Sequence, residues 1–127
     1  MLETYLFHES IAIEYIEVVV DTKIIKLPSG EPAKLRIELI DGSFADIWIS
    51  SSGKYSYHWD RLEIDGEIYR YDNAPHKVWN YTSTFPHHFH TKNEKTVIDS
   101  DMPLNPGMQM KHFMEFIRKN ILQPTVY

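Results

Sequence analysis

The sequence predicts an α+β protein, an antiparallel meander sheet of about five strands covered by a C-terminal helix. Three observations carry this. From Ala33 to Asp72, short runs alternate apolar with polar residues, the pattern of strands with one buried face. Turn sequences with glycine (Asp41-Gly42, Ser52-Gly53, Asp65-Gly66) separate those runs, and such turns join antiparallel neighbours. Near the C-terminus Met110, Phe113, Met114, Ile117 and Ile121 recur at helical spacing, one apolar stripe suited to cover a sheet. The chain of 127 residues has the size of one domain and shows no repeat or linker, so residues 1–127 read as a single domain.

Residues 1–9 suggest no more than a short helical turn. Ile11 to Leu27 (IAIEYIEVVVDTKIIKL) is rich in β-branched residues and reads as a long, partly central strand, bent near Asp21. Leu27 to Pro32 is a turn, because proline fixes φ and glycine tolerates positive φ. In the next strand Leu35, Ile37 and Leu39 should face the core and Lys34, Arg36 and Glu38 the solvent. Ser43 to Ser50 puts Ala45, Ile47 and Ile49 on one face and Phe44, Asp46 and Trp48 on the other. Tyr55, Tyr57 and Trp59 form a core stripe in a fourth strand, and Glu67 to Asp72 returns as a fifth. If Asp65-Gly66 is a two-residue turn, His58 opposes Asn73; a bulged turn places it beside Arg70 or Asp72, and the sequence leaves both open. From Asn73 to Asp101 no period is sustained, although Val97 and Ile98 suit a brief strand. So long an aperiodic stretch points to function. Asn105-Pro106 then opens the helix, with Asn as N-cap and proline in the first turn.

Composition removes several functional classes. Thirteen Lys and Arg against eighteen Asp and Glu give a net charge of −5, which counts against non-specific nucleic-acid binding but permits a local basic site. Without cysteine there is no disulfide, thiolate zinc site or Cys nucleophile. The N-terminus lacks a secretory pattern, and no apolar run reaches the ~18 residues of a membrane span, so a cytoplasmic protein with no membrane role is expected. P-loop, GxGxxG and HExxH patterns are missing.

What remains is Tyr69 to His90, which holds Arg70, Asp72, Asn73, His76, His87, His88 and His90. Histidine titrates near neutrality and serves proton transfer or metal ligation. Extended backbone after Pro86 would send His88 and His90 to one side and His87 to the other. Three readings follow. In metal-independent RNA cleavage, His58, His88 and His90 are the acid and base candidates. Arg70 would bind phosphate or oxyanion, Asp72 would orient an imidazole, and Asn73, His76 and His87 would position substrate. In a metal-dependent hydrolase or nuclease, Asp72, His88 and His90 would ligate a divalent ion. The third reading is a non-enzymatic protein-binding module whose acidic surface meets a basic partner. Plain structural roles stand beside these: a same-face ion pair for Arg70 and Asp72, a hydrogen-bonded strand residue for His58.

The blocks Tyr55-Ser56-Tyr57-His58-Trp59, Arg70-Tyr71-Asp72-Asn73-Ala74-Pro75-His76 and Phe85-Pro86-His87-His88-Phe89-His90 resemble the signature of the TumE-type toxin family, and the likeness spans about residues 30–122. Lys77 stands where that pattern often has a second His, and Phe89 where a basic residue is common. The resemblance implies the toxin half of a prokaryotic toxin–antitoxin module, paired with a helix-turn-helix antitoxin. By analogy with other such toxins it points to a small ribonuclease acting on RNA, and the residue reading expects no cofactor, with a divalent metal ion as the alternative. A homodimer is compatible with all of this.

Overall fold

A computed structural model describes residues 1–75 and 81–123. The elements run α1 (Leu2–Ala12), β1 (Val19–Lys26), β2 (Pro32–Leu39), β3 (Phe44–Ile49), β4 (Tyr55–Arg61), β5 (Glu67–Asp72), β6 (His88–Lys92), β7 (Val97–Asp99) and α2 (Pro106–Leu122). The strands form one seven-stranded sheet in sequential order, each antiparallel to the next. The expected meander is present as β1–β5, and the stretch without periodicity supplies two further strands.

Alternation sorts the side chains onto two faces. Leu35, Ile37, Ala45, Ile47, Tyr57 and Trp59 are fully buried on one of them. Helix α2 lays Met110, Phe113, Met114 and Ile117 against that face. Phe113 packs on Tyr57 at 5.5 Å between ring centroids, and Phe116 meets Trp59 edge-on at 5.9 Å. The helix starts as expected: the Asn105 side chain accepts a hydrogen bond from the Met108 N–H at 3.2 Å. Helix α1 covers the same face. Its Tyr5 hydroxyl accepts from the Ile49 N–H at 3.1 Å, and its buried His8 ring lies 3.1 Å from the Tyr57 hydroxyl.

The N-terminal expectation fails in part. Helix continues to Ala12, where a strand was expected, and β1 begins only at Val19. The reason lies in the composition of α1. It buries Tyr5, His8, Ile11 and Ala12 yet exposes Leu2, Leu6, Phe7 and Ile13, so no one-sided stripe marks it, and no side chain caps its start. The bend near Asp21 does exist, as a register shift between Val19 and Asp21.

The β4–β5 register decides the site. Arg61 pairs with Glu67, and the chain reverses through residues 62–66 rather than in a two-residue turn. The N–H groups of Ile64, Asp65 and Gly66 all donate to the Arg61 carbonyl, and Gly66 takes a φ of 77° that few other residues tolerate. His58 is thereby set opposite Arg70. Among the described residues no helix is long and apolar enough to cross a membrane.

Candidate functional site on the open sheet face

The face turned away from the helices carries the polar residues. Arg36↔Asp46, Asp46↔His58, His58↔Arg70 and Arg70↔His90 are successive cross-strand pairs, so they make one row across β2 to β6. The adjacent row is Trp48↔Ser56, Ser56↔Asp72, Asp72↔His88 and His88↔Asp99. Residues distant in sequence meet because every second side chain points to this face and directly opposed pairs stand side by side.

Asp72 is the hub. His88 Nε2 lies 2.6 Å from Asp72 Oδ1, and Arg70 Nε donates to Oδ2 at 2.9 Å. His90 Nε2 is 3.5 Å from the same Oδ2. The other ring nitrogens face backbone carbonyls: His88 Nδ1 is 2.8 Å from Pro86 O, and His90 Nδ1 is 2.9 Å from Glu94 O. Among the described residues, the groups facing the two ring nitrogens of His88, the Asp72 carboxylate and the Pro86 carbonyl, are both acceptors, so we assign it two N–H groups and a positive charge. Arg70 Nη1 and Nη2 clasp the Glu94 carboxylate at 2.8 and 2.6 Å. Nη2 also lies 3.3 Å from His90 Nε2, which we assign as the acceptor.

The electrostatics follow from this geometry. Burial alone would raise the Asp72 pKa, but the contact and charge of His88 and the hydrogen bond from Arg70 outweigh it and hold the carboxyl well below the usual carboxylate range. Burial would lower the His88 pKa; the hydrogen bond and charge of Asp72 prevail and raise it. His58 has no such carboxylate partner at close range, its nearest being Asp60 at 4.0 Å. Burial, reinforced by the charge of Arg70, lowers its pKa.

Access divides the group. The side chains of His88 and His90 are 0% exposed and that of Asp72 9%, whereas Arg70 is 21% and His58 23% exposed. Residues 81–84 are tied to β7 beside the cluster. The Ser83 N–H donates to the Asp99 carboxylate at 2.9 Å, and the Tyr81 hydroxyl to Val97 O at 3.2 Å. Glu94, from the β6–β7 turn, pairs with Arg70. It is the residue that sequence reasoning missed, since an acidic group in a polar turn carries no signal of its own.

The remaining predicted residues lie elsewhere. His87 points away from His88 and His90, with Nδ1 2.8 Å from the Tyr55 hydroxyl. Asn73 accepts from the Tyr55 N–H at 2.9 Å and donates to Gly53 O at 3.0 Å. His87 and Asn73 border a cavity of about 260 Å³ beside Tyr55 at the strand ends, apart from the Asp72 cluster. His76 lies outside the described residues.

A metal could use part of this set. One donor atom from each of Asp72, His88 and His90 falls within 4.8 Å of the others. Anchoring each Nδ1 on a carbonyl aims both Nε2 atoms at Asp72, an orientation common in metal-binding histidines.

Fold and site together define a small α+β protein with an Arg–Asp–His cluster set into an open antiparallel face. The chain belongs to the TumE toxin family: the family model described as Toxin TumE matches residues 9–121. It is thus a toxin component, and membership suggests an antitoxin partner. No curated protein and no solved structure matches it.

Proposed function

We propose that this toxin cleaves RNA without a metal, using His58 as the base and Arg70 as the phosphate-binding group. The observation that carries the reading is the His58↔Arg70 pair on the open face, where both side chains reach solvent. A lowered pKa keeps His58 neutral near pH 7 and ready to accept a proton. It would take the 2′-hydroxyl proton as that oxygen attacks phosphorus. The P–O5′ bond breaks, the leaving oxygen takes a proton from solvent, and Arg70 stabilises the charge that builds on the phosphorane.

His88 and His90 contact no solvent, so in this reading they position other groups rather than touch substrate. Two cations, Arg70 and His88, face two carboxylates, Asp72 and Glu94. Without the His88 proton the carboxylates would outnumber the cations and repel a phosphate. The partner in this reading is a DNA-binding helix-turn-helix antitoxin, whose basic surface complements a chain of net charge −5.

The carbonyl-anchored imidazoles favour a second reading, in which Asp72, His88 and His90 hold a divalent ion. Against it, the Arg70 guanidinium already stands 2.9 Å from Asp72 and 3.3 Å from His90, where an ion would have to sit. The test is cleavage of RNA by purified toxin and by the His58→Ala and Arg70→Ala variants, with and without chelator. The wild type should be indifferent to chelator and His58→Ala slower by about 10²–10⁴-fold. Loss of activity in chelator favours the metal reading. Growth inhibition equal to wild type by both variants and also by Asp72→Ala and His88→Ala would leave only a non-enzymatic, partner-binding toxin.

A further inference from the structure

Strand β3 carries two large aromatic residues on the open face, and they differ in one respect. Phe44 is capped by the Arg36 guanidinium, 4.2 Å above its ring centroid. Trp48 is 44% exposed, although Trp59 on the next strand is fully buried in the core. A ring of this size offers a flat face for stacking, and its place on the open face beside the row of His58 and Arg70 puts that face next to the site.

Register fixes where that surface lies. Trp48 is opposite Ser56, and Asp46, its neighbour on the same face, is opposite His58. Trp48 and His58 are therefore diagonal neighbours on adjacent strands, about 7–8 Å apart at the backbone. Ser56 in turn opposes Asp72. The indole, His58 and Arg70 thus form a short diagonal track across β3, β4 and β5.

We infer that Trp48 is the base-stacking platform of this track and that the substrate is single-stranded RNA, a conclusion that rests on the ribonuclease reading above. The charges decide for a single strand over a duplex. Lys34 and Arg36, the other cations of these rows, are both held by Asp46, at 3.0 and 2.9 Å. Cations already paired release few counterions from a duplex backbone. Stacking on an exposed ring needs unpaired, unstacked bases and tolerates any sequence. The track joins a base at Trp48 to a neighbouring phosphate between His58 and Arg70.

Binding is measured with a labelled single-stranded 2′-O-methyl oligonucleotide, which lacks the attacking hydroxyl and is not cleaved. Trp48→Ala should weaken binding about tenfold to a hundredfold, Trp48→Phe should keep most of it, and affinity should depend weakly on salt. Because the side chain is exposed, thermal melts of both variants should match the wild type. Three results would overturn the inference: equal binding by wild type and Trp48→Ala, displacement of the strand by duplex RNA at equal concentration, or a defect confined to antitoxin binding. Cleavage by the same samples keeps the two readings distinguishable. A Trp48→Ala enzyme with unchanged binding and cleavage sinks the platform alone, whereas active His58→Ala sinks the chemistry.

Discussion

Asp72→Asn removes one charge from the cluster and almost no volume, so it isolates the electrostatics. His88, fully buried and assigned two N–H groups, would then be an imidazolium with no carboxylate 2.6 Å away. Breaking a buried ion pair by removing one partner costs about 3–5 kcal/mol, and little solvent is at hand to screen a carboxylate only 9% exposed. In a domain of 127 residues that corresponds to a melting temperature lower by roughly 10–25 °C. The pH dependence is more diagnostic than the size. In the wild type the His88 pKa is raised, so its contribution is complete below about pH 6.5 and is lost as pH rises through the native value. In Asp72→Asn burial remains without the carboxylate, so the His88 pKa should fall below its ordinary value. That variant should then lose stability as pH drops through about 6.5. The gap between the proteins should be widest near pH 5.5 and narrow near pH 9. Below about pH 4 the wild type also weakens, because Asp72 in the unfolded chain takes up a proton that the depressed native carboxylate does not. Urea melts across this range, with NMR titration of the His88 ring, make the measurement. A loss below about 1 kcal/mol that is flat with pH would refute the charged-pair assignment.

Two further outcomes are expected. If His58 is the base, RNA cleavage should rise with pH along a limb centred below the ordinary imidazole value of about 6.5, since burial and Arg70 lower its pKa; a limb centred above that value would contradict the assignment. Asn105→Ala removes the side-chain acceptor for the Met108 N–H and should cost about 1 kcal/mol of unfolding free energy, read from urea melts.

Period-two alternation made β2 to β5 legible, and the stripe from Met110 to Ile121 made α2 legible together with its Asn105 cap. Helix α1 was hidden because Leu2, Leu6, Phe7 and Ile13 keep its outer side apolar. Strand β6 was hidden because His88, Phe89 and His90 are all buried, so nothing alternates. The polar residues of the site could be named from composition, and extension after Pro86 correctly put His88 and His90 on one side with His87 on the other. Their convergence could not be deduced. It depends on how residues 62–66 turn, and on a Glu94 carboxylate that only the folded β6–β7 corner brings to Arg70.

Each strand of the sheet pairs with its neighbour in the chain, which keeps loop closure short and lets hairpins zip in order of synthesis. Arg70 and Asp72 are laid down with β5, but both imidazoles that balance them arrive with β6, sixteen positions later for Asp72 and twenty for Arg70 in the pairs Asp72↔His88 and Arg70↔His90. A nascent or truncated chain that stops short of residue 88 therefore lacks both imidazoles beside Asp72 as well as the helix that covers the other face, so cluster and core are completed by the same late segment of the chain.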